Sequence, residues 1–229
     1  SGEAVFEGPH ALRVTDAQGR ASTWQAERVV VAAGASPAAG PWRFDGRRIV
    51  SYRELLAAER LPASLVIVGG GVIGCEFASC LSGFGVRVTV IEREPQLLPQ
   101  EDVEASRVVA ASLRAQGVTV LTSATVQTLT ASDAGGVRVT VRSGEAAAEP
   151  QTLEAEQALI AVGVRPNSEG LGLEALGIAT QGGVAVDLTL RTAQPHIAAV
   201  GDCLAGHGLA HVASAEALLA VRNLAGEPP

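Results

Sequence analysis

Leu65-Val66-Ile67-Val68-Gly69-Gly70-Gly71-Val72-Ile73-Gly74 is the stretch on which the reading of this chain turns. A short apolar run enters Gly69-x-Gly71-x-x-Gly74 without a break, which suits a strand buried on both faces of a sheet. The residues that follow, to about Gly83, read as a helix, and 86–91 read as a second strand that closes on Glu92. Each glycine has a task at this spacing. Gly69 permits the tight turn, Gly71 lets backbone approach a pyrophosphate, and Gly74 lets the helix pack against the strand. The phosphates would then sit at the helix N-terminus, where free N–H groups and the dipole favour negative charge. With 26 glycines in the chain the motif alone has little weight; the strand before it, the helix after it and the acid beyond give it meaning.

Glu92 stands where a ribose-binding acid belongs, about 20 residues past the glycines. A carboxylate there accepts from the adenosine ribose 2′-OH and repels a 2′-phosphate, so NAD is expected over NADP. Arg87 and Arg93 act in the opposite sense, since an arginine can accommodate that phosphate. The bland alternatives are a glycine set that serves only helix–strand packing, and a strand-end acid that is merely solvated.

Outward from this unit, 52–60 reads as a short helix ending before Pro62. The span 103–116 reads as an amphipathic helix stopped by Gly117, and 118–121 as a third strand. From 126 to 153 the pattern changes to hairpin-like strands with turns at 133–136 and at Ser143-Gly144, and 158–162 reads as a last buried strand. On the N-terminal side, 4–6 and 11–14 read as strands about a turn near Gly8-Pro9, with a second turn at 16–19. A strand at 28–34 ends in small residues before a Pro/Gly-rich break at 37–41. On the C-terminal side a hairpin is expected near Gly182-Gly183, then a strand at 197–200 and a helix at 211–224.

Composition narrows the function classes. Hydrophobic residues make up 47% of the 229, but aromatics only 3%, so the core must rest on Val, Ile, Leu and Ala. The formal charge of -7 speaks against a nucleic-acid partner. No apolar run approaches membrane-span length, and neither a membrane partner nor a signal peptide is expected; the expected compartment is the cytoplasm. Every basic residue is Arg, and the three cysteines, Cys75, Cys80 and Cys203, do not suggest a secreted disulfide framework. There is no Met, and Ser1-Gly2 reads as a processed or engineered end.

The chain resembles the pyridine nucleotide-disulfide oxidoreductases, and their dihydrolipoamide dehydrogenase branch in particular. The residues that carry the resemblance are 30–34 (Val-Val-Ala-Ala-Gly), 66–76, 161–167 (Ala-Val-Gly-Val-Arg-Pro-Asn), 192–202 and 209–213 (Leu-Ala-His-Val-Ala); the run 166–174 tilts it towards that branch. The resemblance implies an α/β fold: a Rossmann-like NAD-binding domain, a parallel sheet plus β-meander, at 45–166. It would be flanked by an incomplete FAD-binding domain of the FAD/NAD(P)-binding fold, contributed by 1–44 and 167–229. It also implies that Gly69, Gly70, Gly71, Val72, Ile73, Gly74 and Glu76 line NAD, with Glu76 near the carboxamide and Val126 on the adenine. Gly163 would let the nicotinamide come close. Asp202 would bind the flavin ribitol, Gly34 would end the neighbouring strand, and Leu209, Ala210 and His211 would lie beside the flavin ring. The sequence departs from the family pattern at Ala33, where Thr is usual, at Val164, where Arg is common, and at Ala217, where Gly is usual.

The implied activity is electron transfer from a dithiol through FAD to NAD. Other readings are a mercuric or glutathione reductase, a transhydrogenase, or a non-enzymatic NAD-binding module. The family's first glycine motif and its redox cysteine pair are expected before residue 1, and its dimerisation domain, with catalytic His and Glu, after residue 229. This chain alone is therefore expected to lack dithiol oxidation, to bind FAD only with the missing domain, and to self-associate through exposed sheet edges; the parent is expected to be a homodimer. Cys75 and Cys80 lie five apart on a helix, about 140° around it, so no disulfide is expected. Both are expected to be buried structural thiols, and His10, His196 and His207 loop or surface residues.

Overall fold

The computed structural model describes residues 2–132, 135–144, 149–206 and 208–227. From the N-terminus the elements are β1 (Gly2–Gly8), β2 (Ala11–Asp16), β3 (Ala21–Gln25), β4 (Val29–Val31), β5 (Ala35–Pro37), β6 (Ile49–Val50) and α1 (Tyr52–Leu56). Then come β7 (Ser64–Val68), α2 (Val72–Gly83), β8 (Arg87–Ile91), α3 (Val103–Ala115) and β9 (Thr119–Leu121). A meander of β10 (Ala124–Ala131), β11 (Val137–Ser143) and β12 (Gln151–Ala155) follows, then β13 (Gln157–Ile160), β14 (Val164–Pro166), β15 (Ile197–Ala199) and α4 (Ala210–Ala225). The chain divides into two compact units, Pro37–Gly163 and a second made of Ser1–Ser36 with Val164–Pro229.

The unit Pro37–Gly163 is built on a parallel sheet of order β6-β13-β7-β8-β9. Strand alternation divides its side chains between two cores. Leu65, Ile67, Val88, Val90 and Leu159 pack with Cys75, Ala78 and Leu81 of α2 and with Ala110 and Leu113 of α3. Their neighbours Val66, Val68, Ile91, Ala158 and Ile160 pack with Leu129, Val137, Val139 and Val141 of the meander. Burial on both faces explains why the strands read as unbroken apolar runs. Each fully buried Leu, Ile or Val contributes about 1.5–3 kcal/mol. The short helix α1 has a capping box that the sequence reading passed over: Ser51 accepts from the Arg53 N–H at 3.2 Å, and Glu54 accepts from the Ser51 N–H at 2.7 Å.

The second unit holds the antiparallel sheet β1-β2-β3 and a parallel pair, β4 with β15. Its core gathers Phe6, Val31, Leu173, Ile178, Ile197 and Val200. β3 was not expected from sequence, because all five of its residues are exposed and no buried face marks the period. The hairpin expected near Gly182-Gly183 is absent; that segment is a turn, in which the Gly183 N–H donates to the Thr180 carbonyl at 3.2 Å with no strand on either side. Of the turn expected at 133–136, residues 133 and 134 lie outside the described residues, as does His207. Among the described residues no helix is long and apolar enough to cross a membrane.

Candidate functional site

The glycine turn between β7 and α2 is shaped by three different exclusions. Gly69 has φ 109°, and a Cβ there would run into the Ala161 carbonyl, so only glycine fits both the conformation and the space. A Cβ on Gly74 would run into the Gly69 carbonyl oxygen, which is the close helix–strand contact expected of the third motif glycine. Gly70 is enclosed: a Cβ would meet Leu97 Cδ2 at 2.5 Å and the Glu92 Cβ at 3.0 Å. Gly71 is the opposite case, with nothing within 4 Å of an added Cβ, so it faces open space.

Gly71 is also the N-cap of α2, and no side chain caps that end. The first helical bond runs from the Cys75 N–H to the Gly71 carbonyl at 2.9 Å, so the amides of Val72, Ile73 and Gly74 have no intrahelical acceptor. Free donors, the positive end of the helix dipole and a surface without side chains thus coincide at one point.

Glu92, 6% exposed, lies at the carboxyl end of β8. Its Oε2 accepts from the Gly70 N–H at 2.6 Å and its Oε1 from the Glu94 N–H at 2.9 Å. The acid therefore braces the glycine turn as well as standing beside it, and each oxygen keeps a second lone pair. The segment after Glu92 closes over Gly70: the Leu98 N–H donates to the Gly70 carbonyl at 2.7 Å, with Leu98 at φ 49°. The buried Ser106 hydroxyl of α3 fixes the segment through the Leu97 carbonyl at 2.6 Å. Sequence reading missed this brace, since nothing in the composition of 93–101 marks it.

The remaining residues expected around NAD are spread about this end of the sheet. The Ala124 N–H donates to the Glu92 carbonyl at 2.9 Å, so β10 starts beside the acid, and the half-buried Val126 lies two residues along it. Glu76 is exposed on α2. Gly163 is exposed with φ 123°, two residues beyond Ala161, the residue that abuts Gly69. Of the two arginines weighed against NAD, Arg93 is exposed and pairs with Glu94 at 3.1 Å.

In the other unit, β4 and β15 run parallel, with Val31 opposite Ala199 and the Val200 N–H donating to the Val31 carbonyl at 3.0 Å. Their carboxyl ends bring Gly34 and Asp202 to one end of the pair. Gly34 is held by Asn167, whose N–H donates to its carbonyl at 2.9 Å. Asp202 is half-buried in a 3-10 turn, Gly201–Cys203. Among the described residues none hydrogen-bonds its carboxylate. Leu209 is the N-cap of α4, again without a side-chain cap, and Ala210 and His211 are exposed in its first turn.

Cysteine and histidine placement brings one correction. Cys75, Cys80 and Cys203 are all unpaired. Cys75 is buried and its thiol donates to the Gly70 carbonyl at 3.3 Å; burial, with Glu92 and Glu76 adding to it, pushes that thiol up to about 11. Cys80, expected to be buried, is exposed, because the turn of the helix that prevents a disulfide also carries it to the solvent face. His10 is exposed and His196 half-buried, and they stack on one another with ring centroids 4.2 Å apart.

The sequence matches the family model of the pyridine nucleotide-disulphide oxidoreductases over residues 1–217. Dihydrolipoyl dehydrogenase of Chlorobaculum tepidum is 39% identical over 231 aligned residues, covering 100% of this chain and 49% of that protein. That of Bacillus subtilis is 40% identical over 209, covering 89% and 43%. Among solved structures, LpdA from Mycobacterium tuberculosis superposes with a TM-score of 0.85 at 36% identity, over 99% of this chain and 50% of that one. The HOCl-induced flavoprotein disulfide reductase RclA from Escherichia coli gives 0.84 at 30%, over 99% and 50%. The chain spans about half the length of the curated relatives it matches. With the glycine turn, the buried Glu92 and the paired ends of β4 and β15 in place, the chain belongs to the pyridine nucleotide-disulphide oxidoreductase family.

Proposed function

We propose that this chain supplies the NAD(H) site and part of the FAD site of a dihydrolipoamide dehydrogenase-like oxidoreductase. The observation that carries the reading is the N-terminus of α2: free amides at 72–74 behind a Gly71 that faces open space, braced by the buried Glu92. A dinucleotide pyrophosphate needs donors and close backbone approach, and both are present. In the other unit, the half-buried Asp202 offers the hydroxyls of a ribitol chain a carboxylate that, among the described residues, accepts no hydrogen bond. Both sets of residues fit the groups.

The chemistry these groups supply when bound is the passage of an electron pair between a dithiol, the flavin and the nicotinamide. The residues of the chain bind and orient. Gly69 to Gly74 hold the pyrophosphate, and Glu92 accepts from the ribose 2′-OH while fixing Gly70. Val126 flanks the adenine, Glu76 meets the carboxamide, and Gly163 leaves room for the nicotinamide ring. Gly34, Asp202 and the start of α4 at 209–211 serve the flavin. The proposal places 37–163 as the nucleotide domain and the remainder as part of a flavin domain, and includes a homodimeric parent. Three unpaired cysteines suit the reducing cytoplasm.

The test is turnover by the full-length polypeptide with dihydrolipoamide, followed by nicotinamide absorbance with NAD and with NADP. Dithiol-dependent reduction of NAD, with NADP at least tenfold poorer, is expected; no reduction of either nucleotide by dihydrolipoamide would overturn the proposed activity.

A further inference from the structure

The 3-10 turn that presents Asp202 begins at Gly201, whose φ is 73°. Its N–H points away from the turn and donates to Glu216 Oε2 of α4 at 2.7 Å. Glu216 is the only acidic residue of α4, half-buried in a helix otherwise made mainly of Ala, Leu and Val. An added Cβ on Gly201 would stand 3.3 Å from Ala213, so helix and turn are in close contact. The other side of the turn is tied to β4 through the Cys203 thiol, 3.5 Å from the Val31 carbonyl, and to the 180–184 turn through the Val184 N–H, which donates to the Cys203 carbonyl at 2.8 Å. Among the described residues, Glu216 is the one side chain that hydrogen-bonds the leading residue of the turn.

We infer that Glu216 is a positioning residue for flavin binding: by accepting the Gly201 N–H, it sets the Gly201-Asp202 turn so that the Asp202 carboxylate is held free for the ribitol hydroxyls. The inference rests on the assignment of Asp202 to FAD. A carboxylate acceptor suits the task, because a hydrogen bond to an ionised oxygen is shorter and stronger than one to a neutral group. Glutamine keeps an acceptor oxygen at the same reach; alanine removes it and leaves the Gly201 N–H unanswered.

The experiment is FAD release from the flavin-loaded protein, followed by the rise in flavin fluorescence on dilution, for Glu216→Ala, Glu216→Gln and Asp202→Asn. Expected are loss of FAD about tenfold faster in E216A, near-normal retention in E216Q, and fast loss in D202N. Hydrogen exchange over 201–205 should quicken in E216A alone, which separates a freed turn from general loosening. If E216A does not fold, Glu216→Asp, which draws the carboxylate back, should release FAD faster than E216Q. Retention of FAD by E216A, or equal loss in E216A and E216Q, would overturn the positioning role while fast loss in D202N leaves the Asp202 assignment standing. Unchanged retention in D202N would overturn the assignment itself.

Discussion

Gly71 and Glu92 separate what the glycine turn needs for folding from what it needs for a ligand. Gly71 has φ -74°, an ordinary value for any residue, and its side-chain space is empty. Asp is a good N-cap, so Gly71→Asp should leave stability within a few tenths of a kcal/mol of the parent, or raise it. The same carboxylate would face the pyrophosphate and should reduce NADH affinity at least tenfold. Denaturant unfolding and calorimetric titration read the two effects separately. Glu92→Ala should hurt both, since it leaves the Gly70 and Glu94 N–H groups without acceptors at a cost of about 1–3 kcal/mol. It should also weaken NADH and relax discrimination against NADPH; unchanged preference would refute the ribose role. Cys75 adds a pH dependence with a definite sign. Its thiol is raised from 9.0 to about 11 in the folded protein. In that window the unfolded chain loses the proton while the folded chain keeps it, so the stability contributed is complete below pH 9.0 and is lost as pH rises through about 11. Urea midpoints should fall more steeply there for the parent than for Cys75→Ala, and equal slopes would contradict the assignment. The positions of the glycine turn, between an apolar strand and a helix, were legible from motif spacing, and Asp202 was singled out only through the family resemblance. The second duty of Glu92 and the role of Glu216 were not legible, because each bonds a backbone amide far along the chain.

Strands and helices were readable in proportion to how their burial patterns the sequence. β7 and β8 are buried on both faces and stand out as apolar runs, and α3, capped by Asp102, stands out by its amphipathic stripe. β3 has no buried face and left no trace, while the glycine pair at 182–183 imitated a hairpin where only a turn exists. The same logic ranks mutational cost. Ile67, fully buried on β7, the central strand between β13 and β8, should cost about 2–5 kcal/mol on truncation to alanine. Leu188, 98% exposed, should cost almost nothing. Comparable losses at the two sites in denaturant unfolding would contradict the placement of the core.

The unit Pro37–Gly163 has a five-stranded sheet packed on both faces, whereas β4–β15 is a pair of strands in which β15 is bridged on its other side only at Ala198, by Arg191, and β4 has, among the described residues, no other strand beside it. Open strand edges are templates for pairing, so the isolated chain should associate as concentration rises; a constant single-chain mass in light scattering would contradict this. Sequence order conveyed this division only approximately. Breaks were expected at 44/45 and 166/167, and the units part after Ser36 and after Gly163, because the Pro/Gly-rich segment at 37–41 joins the Pro37–Gly163 unit through Ala38, whose N–H donates to the Gly163 carbonyl at 2.9 Å. The central claim is that the N-terminus of α2 binds a dinucleotide and that Glu92 selects NAD. Titration calorimetry of the chain with NADH and NADPH, beside Gly71→Asp, tests it most directly. NADH should bind, NADPH should bind at least tenfold more weakly, and the variant should lose NADH while unfolding at the same denaturant concentration. Equal affinity for both nucleotides, or NADH binding that survives Gly71→Asp, would contradict it.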